Sequence, residues 1–111
     1  MCGFTGFFDP SLSLKNQSYS RLIEQMSNAI AHRGPDDSGA WMDDDRGIVL
    51  GFRRLAILDL TPSGHQPMAS ADGRYEIVFN GEVYNFAELQ HELMALGHAF
   101  KGTSDTEVML A

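Results

Sequence analysis

Cys2 stands directly behind the initiator methionine, where its chemistry differs from that of an internal cysteine. Because cysteine is small, we expect Met1 to be removed, which leaves one residue with both a thiol and a free α-amine. That amine, with an ordinary pKa of about 7.7–8.0, can accept the proton of a thiol whose ordinary pKa is about 8.5. A terminal amine acting as base for its own residue's nucleophile is an established catalytic arrangement. Cys2 is therefore a candidate nucleophile, and Gly3 behind it is expected to leave room for a substrate.

The structural alternative for Cys2 is strong, since a lone cysteine is most often a small buried hydrophobe. An internal catalytic cysteine normally needs a histidine and an asparagine or aspartate as partners. The chain has four histidines, at positions 32, 65, 91 and 98, and none is an evident partner. Taken alone, the residue favours the structural interpretation, and only an N-terminal nucleophile would dispense with a histidine.

Short strands are expected to position Cys2. Together with the predicted helices they indicate a fold of the α+β class. Apolar runs predict strands at 3–8, 40–42, 47–52 and 74–79, with buried strand or extended chain at 55–58. Loops rich in Gly, Pro and polar residues are predicted at 32–39 and 61–72.

The predicted helices carry clear end signals. A helix at 18–31 has one apolar face, and a second at 86–96 has Asn85 as N-cap, Glu88 as capping-box partner and Gly97 as a left-handed terminator. A capping box at 104–107 begins a last helix, which stops at Ala111. Because a natural domain rarely ends within a helix, we expect a domain truncated at its C-terminus.

Composition excludes several classes of function. The net charge is −7, with only 8 Lys and Arg, whereas binding to nucleic acid needs a clustered basic surface. No apolar run approaches the ~20 residues of a membrane span, and no signal peptide is visible. One cysteine allows no internal disulfide, so a cytoplasmic location is expected. The Asp43–Asp44–Asp45 run is predicted to be a solvated loop rather than a metal site, because consecutive carboxylates point in different directions.

Six sequence blocks, in order, resemble the class II glutamine amidotransferases. They are MCGFTGFF at the start, HRGPDDSG at 32–39, RLAILDL at 54–60, GHQPM at 64–68, NGEVYN at 80–85 and SDTEV at 104–108. RGPD, RL-x-I-x-D and NGE-x-YN are similar to the asparagine synthetase branch of the class. Any one block is weak evidence, but six in this order over nearly the whole chain are specific.

This resemblance implies that Cys2 attacks the side-chain amide of glutamine, and that Asn80 and Gly81 stabilise the oxyanion that forms. An Asn side-chain NH₂ and a Gly backbone N–H are both suitable donors. The alternative for Asn80-Gly81 is a two-residue hairpin turn, which is the leading interpretation of Asn-Gly after a strand. The two interpretations are compatible, because a tight turn can present both donors.

The resemblance also implies that Arg54 holds the glutamine α-carboxylate, while Glu82 and Asp105 receive the α-ammonium. Arg53 is left out, because on an extended chain it points the opposite way. The alternatives are a surface charge for Arg54, a surface residue for Glu82 and a helix-start acid for Asp105. GHQPM is expected to frame the pocket, and HRGPDD to order the loop over it.

The fold implied is the N-terminal-nucleophile hydrolase four-layer αββα sandwich with mainly antiparallel sheets. Residues 1–111 would be the N-terminal part of the amidotransferase domain, which supplies ammonia to an asparagine synthetase domain absent from this chain. The glutaminase step needs no metal or other cofactor, and ATP and Mg²⁺ are implied only for the synthetase domain. Expected partners are glutamine and the synthetase domain of the parent chain, without nucleic acid or membrane, and a homodimer is compatible with them.

Two other functions stay open on the sequence. The first is a class II amidotransferase with a different ammonia acceptor. The second is a non-catalytic fragment or module of the same fold. The retained Cys2 is evidence against this second alternative.

Overall fold

The computed structural model describes residues 2–55 and 62–111, and its main sheet has three antiparallel strands in the order β1-β3-β2. These strands are β1 (Gly3–Phe8), β2 (Asp37–Asp43) and β3 (Ile48–Arg54), and α1 (Tyr19–Ala29) packs on them. The shorter elements that follow are β4 (Met68–Ala69), β5 (Glu76–Ile77), α2 (Phe86–Ala95) and α3 (Asp105–Leu110). Mixed helices and antiparallel sheets confirm the α+β prediction at this level.

The hairpin between β2 and β3 is longer than predicted. Asp37, Ser38 and Gly39 were expected in a loop, but they pair in register with Arg54, Arg53 and Phe52. The turn itself uses the aspartate run, because Asp43 Oδ1 accepts the N–H groups of Asp45 and Arg46, each at 3.2 Å. This carboxylate therefore stabilises a turn. Residues 56–58 of the strand predicted at 55–58 lie outside the described residues.

The core lies between α1 and the sheet. Tyr19 and Ile23 of α1 are buried against Val49 of β3. Gly51 allows this close packing, since a Cβ there would lie 2.6 Å from Ser27 Oγ and 2.9 Å from Ile23 Cδ1. The helix begins at Tyr19, one residue later than predicted, with Ser18 as its N-cap, whose Oγ accepts the Arg21 N–H at 3.4 Å. It ends two residues earlier than predicted, because the chain turns at Ile30 into a 3₁₀ turn at Ala31–Arg33.

Asp9 ties the end of β1 to α1. Its carboxylate accepts the Leu14 N–H at 2.9 Å and the Tyr19 hydroxyl at 2.8 Å, with further bonds from Ser13. These bonds, led by that of Leu14 N–H, hold the pKa of Asp9 below its usual value of 3.8. Burial, together with the Asp9 carboxylate, raises the pKa of Tyr19 to about 12. The buried carboxylate thus works as a structural anchor in its ionised form.

Stability should fall in acid because of Asp9. The pKa of Asp9 in the folded protein lies below 3.8. The stability that the ionised Asp9 contributes is therefore present above pH 3.8. It is lost as the pH falls through the folded-state pKa, where the folded protein also takes up the proton. Urea unfolding measured from about pH 6 down to about pH 2.5 should therefore show a steeper acid loss for wild type than for Asp9→Asn. Asp45→Asn, on the exposed turn, is the matched control and should keep the wild-type slope. Equal slopes for wild type and Asp9→Asn would contradict this role.

The C-terminal helices follow their end signals unequally. Ser104 caps α3 as predicted, with Oγ accepting the Glu107 N–H at 3.3 Å. Asn85 is the N-cap residue of α2, as predicted, and its carbonyl oxygen accepts the Leu89 N–H at 3.1 Å, but its side chain makes no capping hydrogen bond. Gly97 ends α2 with a φ of +99°, as predicted. Leu96, predicted on the apolar stripe of α2, is 77% exposed.

The strands in the segment from 62 to 79 differ from the prediction: the strand predicted at its C-terminal end is shorter, and a strand forms within the predicted loop before it. The strand predicted at 74–79 is reduced to Glu76–Ile77, which pairs with Met68–Ala69 inside the predicted loop. Phe79 is not in this ladder, because its backbone N–H is bound by the side chain of Gln66. None of the helices within residues 2–55 and 62–111 has the length and apolar character of a membrane span.

Candidate active site

A cavity of about 430 Å³ opens between the end of β3, the segment after β5 and the start of α3. It is lined by every residue to which the sequence assigned a role: Cys2, Arg54, Asn80, Gly81, Glu82 and Asp105. These residues lie far apart in the chain, and the fold brings them to one place. Phe52, Leu55, Phe79 and Tyr84 supply much of the apolar wall.

Cys2 enters this cavity because of the sheet register. β1 pairs Gly3 with Arg53, which brings Cys2 beside the end of β3. The thiol donates to the Leu55 carbonyl oxygen at 3.3 Å, and the sulfur accepts the Leu55 N–H at 3.2 Å. These contacts hold the half-buried sulfur at the cavity wall.

Arg33 also positions Cys2, a role that the sequence motifs did not indicate. Its Nε donates to the Cys2 carbonyl oxygen at 3.2 Å. The expectation that Gly3 leaves room for a substrate is wrong, because Gly3 is buried and a Cβ there would lie 3.2 Å from both Arg33 Cδ and Ile30 Cδ1. Gly3 thus admits the Arg33 side chain rather than a ligand. Arg33 belongs to the HRGPDD block, but the block lies far from Cys2 in the sequence, so the contact could not be predicted from local patterns.

Arg54 is the buried arginine at the end of β3, with 8% of its surface exposed. Its backbone carbonyl accepts the Asp36 N–H at 2.9 Å, which packs the HRGPDD segment against this strand end. Gly34 is required there, since a Cβ would collide with the backbone of Arg53 and Arg54. Arg53 points to the other face, as predicted, and its Nε donates to the Gly34 carbonyl at 3.0 Å. The fold therefore selects Arg54 for the cavity.

Asn80 and Gly81 lie in an irregular segment rather than in a hairpin turn. A type I′ turn needs positive φ at both central residues, and neither Asn80 nor Gly81 has one. No strand follows them, since the chain proceeds through Glu82 and Val83 into α2. The hairpin alternative is therefore wrong, and the segment is held by contacts from outside it.

Asp105 provides one of those contacts. It is buried at the start of α3, and its Oδ2 accepts the Val83 N–H at 2.9 Å. This bond fastens the segment that carries Asn80 and Gly81 to α3. Glu82 lines the same cavity but is exposed. Among the described residues that line the cavity, Asp105 is a buried carboxylate, Glu82 is a solvent-facing carboxylate and Arg54 is a buried cation.

The GHQPM segment frames the cavity through Gly64 and Gln66. His65 Nδ1 lies 2.5 Å from Asp37 Oδ2, which joins the segment to β2. Gln66 and Thr106 are buried and were not singled out from the sequence. The only available signal for Gln66 was a large amide side chain within a segment rich in Gly and Pro.

Comparison with known proteins finds relatives that match the chain over its whole length. A family model described as a glutamine amidotransferase domain matches residues 1–111. Over 111 residues the chain is 47% identical to asparagine synthetase (glutamine-hydrolyzing) 1 of Bacillus subtilis, covering 100% of this chain and 17% of that protein. It is 41% identical to asparagine synthetase (glutamine-hydrolyzing) 3 of the same organism, covering 99% and 17%. Amidase chry2 of Gibberella zeae is 37% identical, covering 100% and 17%.

The chain therefore spans about 17% of the length of these curated relatives. The family model, by contrast, matches the chain from its first residue to its last. By this match, the chain belongs to the glutamine amidotransferase domain family.

Proposed function

We propose that this domain hydrolyses glutamine to glutamate and ammonia through a thioester on Cys2. In this proposal the ammonia passes to an ATP-dependent asparagine synthetase domain of a longer protein. The observation that carries the proposal is one cavity that holds Cys2 beside a buried arginine, a buried carboxylate and the Asn80-Gly81 segment. The matching family and the names of two of the relatives above support it.

The chemistry uses both groups of the first residue. Once Met1 is removed, the α-amine of Cys2 takes the thiol proton, and Sγ attacks the side-chain carbonyl carbon of glutamine. The C–N bond breaks, the amine returns its proton to the leaving nitrogen, and ammonia departs from the thioester. Water then attacks the thioester with the amine as base, which releases glutamate and restores the thiol. Asn80 NH₂ and Gly81 N–H stabilise the oxyanion in both steps.

The rest of the cavity recognises the amino-acid end of glutamine. Arg54 binds the α-carboxylate, because a guanidinium and a carboxylate form two parallel charge-assisted bonds. Burial of Arg54 supports this role, since a buried cation gains more from an anionic ligand than an exposed one does. Asp105 and Glu82 receive the α-ammonium, the first from the buried wall and the second from the rim.

The proposed parent protein is longer than this chain. Its synthetase domain would use ATP, Mg²⁺ and aspartate, and the glutaminase step itself would need no cofactor. A cytoplasmic location suits a thiol that must stay reduced, because disulfides form mainly in oxidising compartments. We propose no nucleic-acid or membrane partner, and a homodimer is compatible with the domain.

The four-layer αββα sandwich is also part of the proposal. The main sheet has α1 on one face, while the opposite face leaves Phe4 54% and Phe8 67% exposed. A second sheet packed on this face would bury both phenylalanines and complete the inner layers of the sandwich.

The full-length protein should release glutamate from glutamine, and Arg54→Ala should raise KM by about 10- to 100-fold, with a smaller effect on kcat. The reason is that Arg54 contacts the α-carboxylate in the ground state and the transition state alike. Arg46→Ala, on the exposed β2–β3 turn, removes the same charge and should leave both constants unchanged. No glutamate release by wild type would refute the proposed function. A drop in kcat without a change in KM would remove Arg54 from this role.

A further inference from the structure

The side-chain amide of Gln66 joins two segments of the cavity wall. Gln66 is 6% exposed, and its Oε1 accepts the Phe79 N–H at 2.7 Å. Its Nε2 donates to Thr106 Oγ1 at 3.1 Å and to the Phe79 carbonyl oxygen at 3.4 Å. The orientation of the amide follows from chemistry, because a backbone N–H can only donate and so must face the oxygen.

These partners are the chain neighbours of the proposed oxyanion and ammonium sites. Phe79 directly precedes Asn80-Gly81, and Thr106 directly follows Asp105. β5 ends at Ile77, and within residues 2–55 and 62–111 no strand ladder includes Phe79. The Gln66 amide takes the place of a neighbouring strand there, as it both donates to and accepts from the Phe79 backbone.

The segment that carries Gln66 is itself fastened to the main sheet. His65 contacts Asp37 of β2 at 2.5 Å. Gly39 of β2 lets this segment approach, since a Cβ there would collide with the Gln66 carbonyl oxygen and the His65 ring. Contacts with β2 therefore hold Gln66 in place, and the Gln66 side chain in turn binds Phe79 and Thr106.

We propose that Gln66 is a positioning residue for glutamine hydrolysis, which sets Asn80 and Gly81 relative to Cys2 and Asp105. This inference rests on the proposed function. Gln66 lines the cavity without binding the substrate, because both N–H bonds of its amide are already directed at Phe79 and Thr106. Its effect on the reaction is exerted through the placement of the oxyanion donors.

Gln66→Met in the full-length protein tests this, since methionine keeps the shape of the side chain and removes its hydrogen bonds. We expect kcat for glutamine to fall about 10- to 100-fold with a smaller change in KM, because a displacement of about 1 Å can cost that much. Hydrogen exchange at residues 79–83 should accelerate in the absence of glutamine. Gln90→Met is the matched control, because Gln90 also donates to a backbone oxygen, that of Gly102 at 3.4 Å, away from the cavity.

Thr106→Val gives a second measurement in case Gln66→Met does not fold. It removes one bond of the same amide, and we expect kcat/KM to fall about fivefold. The double variant should lose no more kcat/KM than Gln66→Met alone, because both changes break the same bond. Wild-type kcat and exchange in both single variants would overturn the inference, as would a change confined to KM.

The two proposals fail in different ways. If wild type does not hydrolyse glutamine, the proposed function fails, and the exchange at 79–83 still decides whether Gln66 holds this segment. If wild type hydrolyses glutamine and both single variants match it, the inference about Gln66 alone fails.

Discussion

Cys2→Ala in the full-length protein is expected to reduce glutamine hydrolysis by at least about 10³-fold, because it removes the sulfur that forms the proposed thioester. Cys2 is the sole cysteine of the chain, and its thiol lines the cavity. The fold should be unaffected, since the half-buried thiol makes two weak hydrogen bonds with Leu55 among the described residues. Glutamate release measured with purified protein is the direct test.

Asparagine synthesis from added ammonia, which the proposed synthetase domain would catalyse, is the control for Cys2→Ala. This reaction bypasses the glutaminase step, so the variant should retain it at the wild-type rate. Loss of both activities would indicate unfolding instead of a missing nucleophile. Glutamine turnover that persists in the variant would exclude Cys2 as the nucleophile.

The α-amine can be tested without removing the sulfur. Mass spectrometry of active protein should find Cys2 as the first residue. An additional residue that remains in front of Cys2 should reduce hydrolysis nearly as far as Cys2→Ala does, because the thiol then has no adjacent base. Full activity in such an extended protein would show that the base lies elsewhere.

Asn80→Ala is expected to lower kcat for glutamine hydrolysis by about 10²–10³-fold, the usual cost of removing one oxyanion donor. KM should change little, since the side-chain NH₂ binds most strongly after negative charge has developed on the oxygen. Steady-state glutaminase kinetics separate these two constants. The Gly81 N–H would remain as the second donor and support the residual rate.

Asn85→Ala is the matched control for Asn80→Ala. Asn85 lies in the same segment, is exposed and makes no capping hydrogen bond, so its loss should leave kcat unchanged. Equal losses in the two variants would point to a general disturbance of the segment. An Asn80→Ala variant with normal kcat and raised KM would place Asn80 in ground-state binding instead.

Local sequence determined the elements whose signals lie within a few residues. β1 spans Gly3–Phe8 as predicted, since it is a short run rich in aromatic residues that ends at Asp9-Pro10. The cap at Ser104 and the left-handed Gly97 also follow from side chains acting on their own backbone neighbourhood. The family, too, could be identified from the order of the six blocks, and the match over residues 1–111 confirms it.

Sequence reasoning was wrong where a distant partner overrides local preference. Asp37, Ser38 and Gly39 have low strand propensity, yet ladder bonds to β3 extend them. Asn80-Gly81 has the local pattern of a hairpin, but the Gln66 amide and the Asp105 carboxylate hold the flanking Phe79 and Val83 N–H groups in a different path.

By itself, then, the sequence determined the family, the candidate nucleophile, the strand β1 and the local signals at Gly97 and Ser104. Only the tertiary structure decided that Cys2, Arg54, Asn80 and Asp105 line one cavity, and that Arg33 and Gln66 support it. The physical reason is that helix caps and strand periodicity act over a few residues, whereas the register of β1 on β3 and the contacts of Gln66 join residues tens of positions apart.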